Sequence, residues 1–238
     1  MKIALIGYGK MGREIETVAR ERNHTIAMVI DVNNQNDLRP ENLRKTDVAI
    51  EFTIPASAPE NLRRCFEAGV PVVCGTTGWM DAWNTVADAC RRTDGGLFYA
   101  SNYSLGVNIL FYLNRQLARI MNRFPQYDVR IEEVHHTAKI DKPSGTAITL
   151  ANDIIKEFAA KKRWELDGAS TPESIMIRAV RKENIPGIHS ITWDSENDTL
   201  QLYHSAKSRR GFALGAVLAA EFMQGKKGIY GMNDLLQF

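Results

Sequence analysis

Through the first hundred residues, short, mostly apolar runs alternate with longer segments in which apolar residues recur every three or four positions. The short runs, at Lys2–Ile6, Thr25–Asp31, Asp47–Phe52, Val70–Cys74 and Gly96–Ala100, are predicted strands. Strands apolar at every position are buried on both faces, as in a parallel sheet covered by helices. Helical spacing runs over Met11–Arg22, from Pro55 to Ala68 with Gly69 as a stop signal, and over Met80–Arg92. This alternation predicts an α/β chain that opens on a doubly wound, Rossmann-type domain.

From Asn102 the pattern changes. A long amphipathic helix over Ser104–Asn122 carries Leu105, Ile109, Leu113 and Leu117 at four-residue steps, and that stripe is expected to face a core. A strand at Tyr127–Val134 leads into HHTAKIDKPSGT, and a second helix is expected from Thr146 to Lys162. Ser174–Arg181, His189–Trp193 and Thr199–His204 alternate polar and apolar residues, as half-buried strands of an open mixed sheet do. A turn at Ser195–Asp198 joins the last two as a hairpin. The Ala- and Gly-rich helix Phe212–Met223 can lie close against a sheet and is expected to return to the first domain. Residues 1–102 and 209–238 are therefore expected to form a dinucleotide-binding domain. Residues 103–208 form an inserted mixed α/β domain for substrate binding and oligomerisation, with hinges near Tyr103 and Ser208.

Composition narrows the partners. The 238 residues carry 30 Lys and Arg against 28 Asp and Glu, a net charge of +2. That is far from the basic footprint of a nucleic-acid binder, so no nucleic-acid partner is expected. No apolar run reaches membrane-spanning length, and the Met1–Gly7 start is too short for a signal peptide, so a cytoplasmic protein without a membrane partner is expected. Cys65, Cys74 and Cys90 are an odd number without a CxxC pair, which suits a reducing compartment and neither a disulfide framework nor a metal site.

KIALIGYGKMGREI places Gly7, Gly9 and Gly12 as GxGxxG between the first strand and the first helix. The first glycine makes a tight turn, the second admits a pyrophosphate to the backbone, and the third lets helix pack on strand. Asp31 follows at the end of the second strand, where a carboxylate accepts hydrogen bonds from an adenosine ribose. A carboxylate there repels a 2′-phosphate, and the next residue is Val32 rather than an arginine, which favours NADH over NADPH. Lys10 inside the loop or Arg39 could still meet that phosphate, so dual use stays open.

A second concentration of chemistry lies in EEVHHTAKIDKPSGTA, where His135, His136, Lys139 and Lys142 precede a Ser144-Gly145-Thr146 helix start. Unpaired N–H groups and the positive dipole end of that helix suit an anion, and the neighbouring cations suit one with more than one carboxylate. Histidine and lysine also donate protons. Taken singly, a surface histidine and an SGT helix cap are ordinary features; within a dozen residues of each other, in a chain with a dinucleotide loop, they point to a substrate site.

These residues carry a resemblance. The chain resembles the 4-hydroxy-tetrahydrodipicolinate (dihydrodipicolinate) reductases of lysine and diaminopimelate biosynthesis, over nearly its whole length. The glycine loop, EFTIP (51–55), CGTTG (74–78), ASNYSLGVN (100–108), EVHHTAKIDKPSGTA, IPGIHS and HSAKSRRGFALGA all take part. The resemblance implies His135 as catalytic acid/base and Lys139 as second proton donor, with His136, Gly145 and Thr146 as substrate-carboxylate binders. Cofactor contacts are implied for Gly7, Tyr8, Gly9, Lys10 and Met11, for Asp31, Phe52 and Thr53, for Gly75, Thr76 and Thr77, and for Ala100, Ser101, Asn102 and Tyr103. Arg209 and Phe212 match the family's hinge region. A homotetramer built through the C-terminal domain and a nicotinamide cofactor, NADH or NADPH, are also implied. Three features depart from the family pattern: a glycine loop one residue shorter than its common form, Val32 in place of an arginine, and a shorter stretch from Gly187 to Thr199.

Two rival readings stand beside this one. An NAD(P)-dependent amino-dicarboxylate dehydrogenase would share the glycine loop, but HHTAK and PSGT argue against it. A non-catalytic NADH-sensing regulator would carry a DNA-binding module or a basic patch, and the charge balance shows neither.

Overall fold

The structure, a computed structural model, describes residues 1–168 and 171–238. It divides into two compact units, Met1–Ser104 with Arg209–Phe238, and Leu105–Ser208.

The first unit begins with β1 (Lys2–Ile6), α1 (Lys10–Glu21), β2 (Thr25–Ile30), the short α2 (Pro40–Leu43) and β3 (Val48–Glu51). It continues through α3 (Ala58–Ala68), β4 (Val72–Cys74), α4 (Trp83–Arg92) and β5 (Gly96–Tyr99). The second unit runs α5 (Leu105–Met121), β6 (Asp128–His135), α6 (Gly145–Glu157), β7 (Arg163–Leu166), β8 (Ser174–Arg181), β9 (Gly187–Asp194) and β10 (Thr199–Ala206). The chain then returns to the first unit with α7 (Arg210–Met223), β11 (Gly228–Tyr230) and α8 (Met232–Leu236).

The first sheet has the order β11-β5-β4-β3-β1-β2, with every pairing parallel. Its strands read as continuous apolar runs because both faces are covered: β3 and β4 are buried at every position. On one side, α7 presents a face of small residues, with Ala213, Ala216, Ala219 and Ala220 wholly buried. A Cβ on Gly215 would sit 1.8 Å from the carbonyl oxygen of Tyr103, so only glycine lets the helix approach that closely.

The second sheet is mixed, with the order β10-β9-β6-β8-β7. β6 pairs parallel with β8 and antiparallel with β9. Leu110, Ala118 and Met121 of α5 and Leu150, Ala151 and Ile154 of α6 pack on Val129, Ile131, Ile177, Ile191 and Trp193 of the sheet.

Three expectations need correction. The stripe at Ile109 and Leu113 does not face the core; both are exposed, at 42% and 45%, while Val107, Leu110, Asn114, Ala118 and Met121 are buried. Four-residue steps drift around a helix of 3.6 residues per turn, and the polar Asn114 sits inside because its Nδ2 donates to the Leu150 carbonyl at 3.0 Å. The second helix ends at Glu157, not Lys162: Phe158 turns extended (φ −117°, ψ 99°) and packs its ring edge-on against Trp193 at 5.0 Å. Residues 158–162 form a turn that leads into β7. Finally, β11 is a sixth parallel strand that three residues were too few to announce.

Candidate active site

At the mouth of the first sheet, Gly7 adopts φ +97°, and a Cβ there would lie 2.0 Å from the Phe52 carbonyl oxygen. A Cβ on Gly12 would lie 2.2 Å from the carbonyl oxygen of Gly7. These two glycines are therefore fixed by backbone sterics. Gly9 is different: a Cβ there would meet nothing within 4 Å, so its small size leaves room for something other than the protein. Gly9 is also the N-cap of α1 without a side-chain cap, and no acidic residue stands in the first turn. The positive end of that helix is open to a phosphate.

A cavity of about 610 Å³ adjoins this loop, lined by Gly7, Tyr8, Gly9, Asp31, Phe52 and Thr53 among others. Asp31 is half-buried, and its Oδ1 accepts from the Asn33 N–H at 2.7 Å, which fixes the carboxylate at the strand end. Val32 is 82% exposed. Lys10 and Arg39 are absent from the lining; Arg39 instead donates from Nε to the Asn36 carbonyl at 2.6 Å. Arg64 is the one cation lining the cavity among the described residues, and it is engaged by Glu60 at 2.8 Å and by the Leu38 carbonyl at 3.2 Å. Ser57, Glu60, Asn61 and Arg64 form a wall that motif reading missed, because a polar helix face gives no sign of what it borders.

The remaining expected cofactor residues lie outside that lining. The Thr53 N–H donates to Thr76 Oγ1 at 2.7 Å, and Thr53 and Asn61 both reach the fully buried carboxylate of Glu51. Gly75 lies under the Phe52 ring, which a Cβ would approach to 2.1 Å. Thr77 and Ser101 are exposed, Met11 and Asn102 half-buried, and Ala100 buried. Tyr103 is internal: its hydroxyl donates to the Cys74 carbonyl at 2.8 Å, so its side chain supports the loop from inside. Burial, reinforced by the Glu51 charge, pushes the Cys74 thiol up, which keeps it protonated and inert.

In the second unit, β6 alternates so that Val129, Ile131, Glu133 and His135 share the buried face. The first two feed the core; the last two put a carboxylate and an imidazole in the same row. β9 places His189 directly opposite Glu133. Nδ1 of His135 lies 3.3 Å from Glu133 Oε2, and Nε2 of His189 lies 3.9 Å from the same oxygen. The Ser144 N–H donates to both Glu133 oxygens at 3.1 Å, and the Arg181 guanidinium reaches Oε1 at 3.2 and 3.3 Å. Burial alone would raise the Glu133 carboxyl, but His135 and Ser144 overrule it and hold it down at about 2. Burial and the neighbouring His135 push His189 down to about 3, so it stays neutral. The trio could in outline ligate a cation, yet the Arg181 charge already occupies the carboxylate and opposes one.

Ser144 caps α6 by accepting from the Ala147 N–H at 3.3 Å, and its hydroxyl also meets Nε2 of His189 at 3.2 Å. Gly145 is exposed with open space where a Cβ would stand, and Thr146 is half-buried. His136, one step past the strand, is half-buried. Lys139 pairs with Asp141 at 2.8 Å, and Arg181 ties that loop down through the carbonyls of Lys139 and Asp141. Lys142 pairs with Asp167 at 2.8 Å. Sequence reading named His135, His136, Lys139 and the Ser144-Gly145-Thr146 turn; it did not name Glu133, Arg181 or His189, which the structure brings beside His135 and Ser144. The signal for Glu133 was present, since period-two alternation from Val129 places it on the buried face.

The family models for dihydrodipicolinate reductase match residues 1–103 with the N-terminal part and 106–236 with the C-terminal part. The chain belongs to the dihydrodipicolinate reductase family. It is 48% identical to the 4-hydroxy-tetrahydrodipicolinate reductase of Christiangramia forsetii, over 99% of this chain and 98% of that protein. The corresponding enzyme of Neisseria gonorrhoeae is 36% identical over 82% of this chain and 74% of its own length. Among solved structures, the dipicolinate-bound dihydrodipicolinate reductase from Paenisporosarcina sp. TG-14 superposes with a TM-score of 0.79 at 25% identity, covering 98% of each chain. An amine dehydrogenase from Mycobacterium smegmatis shares the fold at 12% identity, with a TM-score of 0.61 over 96% of this chain and 94% of its own. As a member of the family, the chain is an oxidoreductase of lysine and diaminopimelate biosynthesis with a Rossmann-type site for a nicotinamide cofactor.

Proposed function

We propose that the chain reduces 4-hydroxy-tetrahydrodipicolinate to tetrahydrodipicolinate, using NADH or NADPH with NADH favoured. The observation that carries this reading is the buried His135 tied to the same carboxylate as an open helix N-terminus at Ser144-Gly145. The likeness to the Christiangramia enzyme over both full lengths supports the substrate.

The cradle fits the cofactor: Gly9 leaves space beside a bare helix N-terminus, and Asp31 stands at the cavity wall for a ribose. Gly7, Tyr8, Gly9, Lys10, Met11 and Gly12 hold the pyrophosphate end, and the loops at Phe52-Thr53, Gly75-Thr76-Thr77 and Ala100-Ser101-Asn102-Tyr103 hold the rest. When bound, the nicotinamide supplies a hydride. His135 holds the proton that balances it, and Lys139 shares that role or steadies developing negative charge. Backbone N–H groups of Gly145 and Thr146, with His136, take a substrate carboxylate. Following nicotinamide absorbance with substrate generated in place by the preceding synthase tests the reading; no oxidation of NADH or NADPH would overturn it.

We also infer a homotetramer built through the second unit, supported by apolar residues left exposed on it, Ile109, Leu113, Leu200 and Tyr203. A reducing, cytoplasmic setting is supported by Cys65, Cys74 and Cys90, all buried and unpaired with one another.

A further inference from the structure

We propose that Glu133 is a positioning residue that aims His135 and anchors the start of α6 through one carboxylate, leaving Nε2 of His135 as the working nitrogen. This rests on the reading of His135 as proton donor. Glu133 is completely buried on the core face of β6, two residues before His135. A carboxylate there is costly in lost hydration unless it is fully engaged. It accepts from the Ser144 N–H at 3.1 Å and from Arg181 at 3.2 Å, and Nδ1 of His135, buried without any other partner, faces it at 3.3 Å. Capping the Ser144 N–H alone would need only an amide oxygen. The imidazole and the guanidinium are the partners that call for an anion.

The other edge of the ring is left bare by design of the backbone. A Cβ on Gly187 would stand 3.1 Å from His135 Nε2, so glycine at that position keeps the nitrogen uncovered. His189 stacks edge-on against His135 at 5.1 Å and is itself held by Ser144 Oγ, which fixes the ring from the side. One carboxylate thus orients an imidazole by its inner nitrogen, as the buried acid of a hydrolase triad does. The same carboxylate fixes the helix N-terminus proposed to bind the substrate.

The test is a double-mutant cycle on the full-length protein with substrate generated in place. Glu133→Gln is expected to lower kcat roughly 10- to 100-fold while KM for NADH stays within about twofold, because the cofactor loop lies in the other unit. In a His135→Gln background the same change is expected to lower kcat by less than about threefold, because its effect on kcat acts through His135, while loss of the α6 anchor reads out in KM for the dicarboxylate. Equal losses in both backgrounds, or no loss in the first, would overturn the proposal. If Glu133→Gln does not fold, the cycle is run with Glu133→Asp, which keeps the charge and withdraws it by one methylene; the same non-additivity is expected. Imidazole ¹⁵N signals probe Glu133 apart from turnover. Nδ1 of neutral His135 is expected to carry the proton in the parent and to lose that preference in Glu133→Gln; an unchanged tautomer overturns the proposal. Undiminished turnover in His135→Gln would instead overturn the functional reading beneath it.

Discussion

At the scale of single residues, the proposed reading separates a proton donor, His135, from an anion clamp at Gly145 and Thr146. His135→Gln is expected to lower kcat by roughly 100-fold or more, within the range general-acid catalysis supplies, with little change in KM. Thr146→Val is expected to act mainly on KM, since it disturbs a binding turn and leaves the donor in place; initial-rate curves separate the two. Asp31 and Val32 bear on the cofactor in the same local way. The cavity holds the carboxylates of Asp31 and Glu60 and one cation, Arg64, already engaged by Glu60. kcat/KM with NADH is expected to equal or exceed that with NADPH. A tenfold preference for NADPH, about 1.4 kcal/mol, would show that the cavity finds a cation for the 2′-phosphate elsewhere.

At the scale of elements, the two faces of α5 invite a direct comparison with α6. Leu150 is fully buried between α6 and the mixed sheet, whereas Leu113 is 45% exposed. Leu150→Ala is expected to cost about 2–5 kcal/mol in urea unfolding, and Leu113→Ala less than about 1 kcal/mol. The parallel strands and the glycine loop were legible in sequence because each combines a strong pattern with a steric necessity: Gly7 and Gly12 have no room for a side chain. The core face of α5 was not legible, because its apolar residues surround the helix and the choice of face rests on the Asn114 hydrogen bond to Leu150, a tertiary contact. The end of α6 was hidden for a related reason, since Phe158 leaves the helix in order to meet Trp193. At the site, residues named by a motif were legible, while Arg181 and His189 arrive from β8 and β9, far along the chain.

At the scale of the whole molecule, buried titratable groups set the response to acid. His189 is held near 3 in the folded chain against about 6.5 when unfolded, so the unfolded chain binds a proton that the folded chain refuses. The half-buried His204, lowered by burial, acts in the same direction. Stability from His189 is therefore complete above about pH 6.5 and is lost as pH falls toward 3, a drop on the order of a few kcal/mol. Glu133 adds a second loss, from its ordinary 4.5 down to about 2. Calorimetric Tm is expected to begin falling near pH 6.5, and His189→Gln is expected to flatten the slope between pH 6.5 and 5 whatever its effect on the plateau.

The return of the chain through α7 and β11 has a consequence for the order in which the molecule is made. In chain order every described strand of the mixed sheet precedes Arg210, whereas the parallel sheet still awaits its sixth strand and the helix that lies over β3 and β4. The inserted unit can thus finish before the unit that surrounds it in sequence. Until Tyr103 meets Gly215, the nascent first unit exposes an apolar sheet face, the stage at which a chaperone would find most to hold.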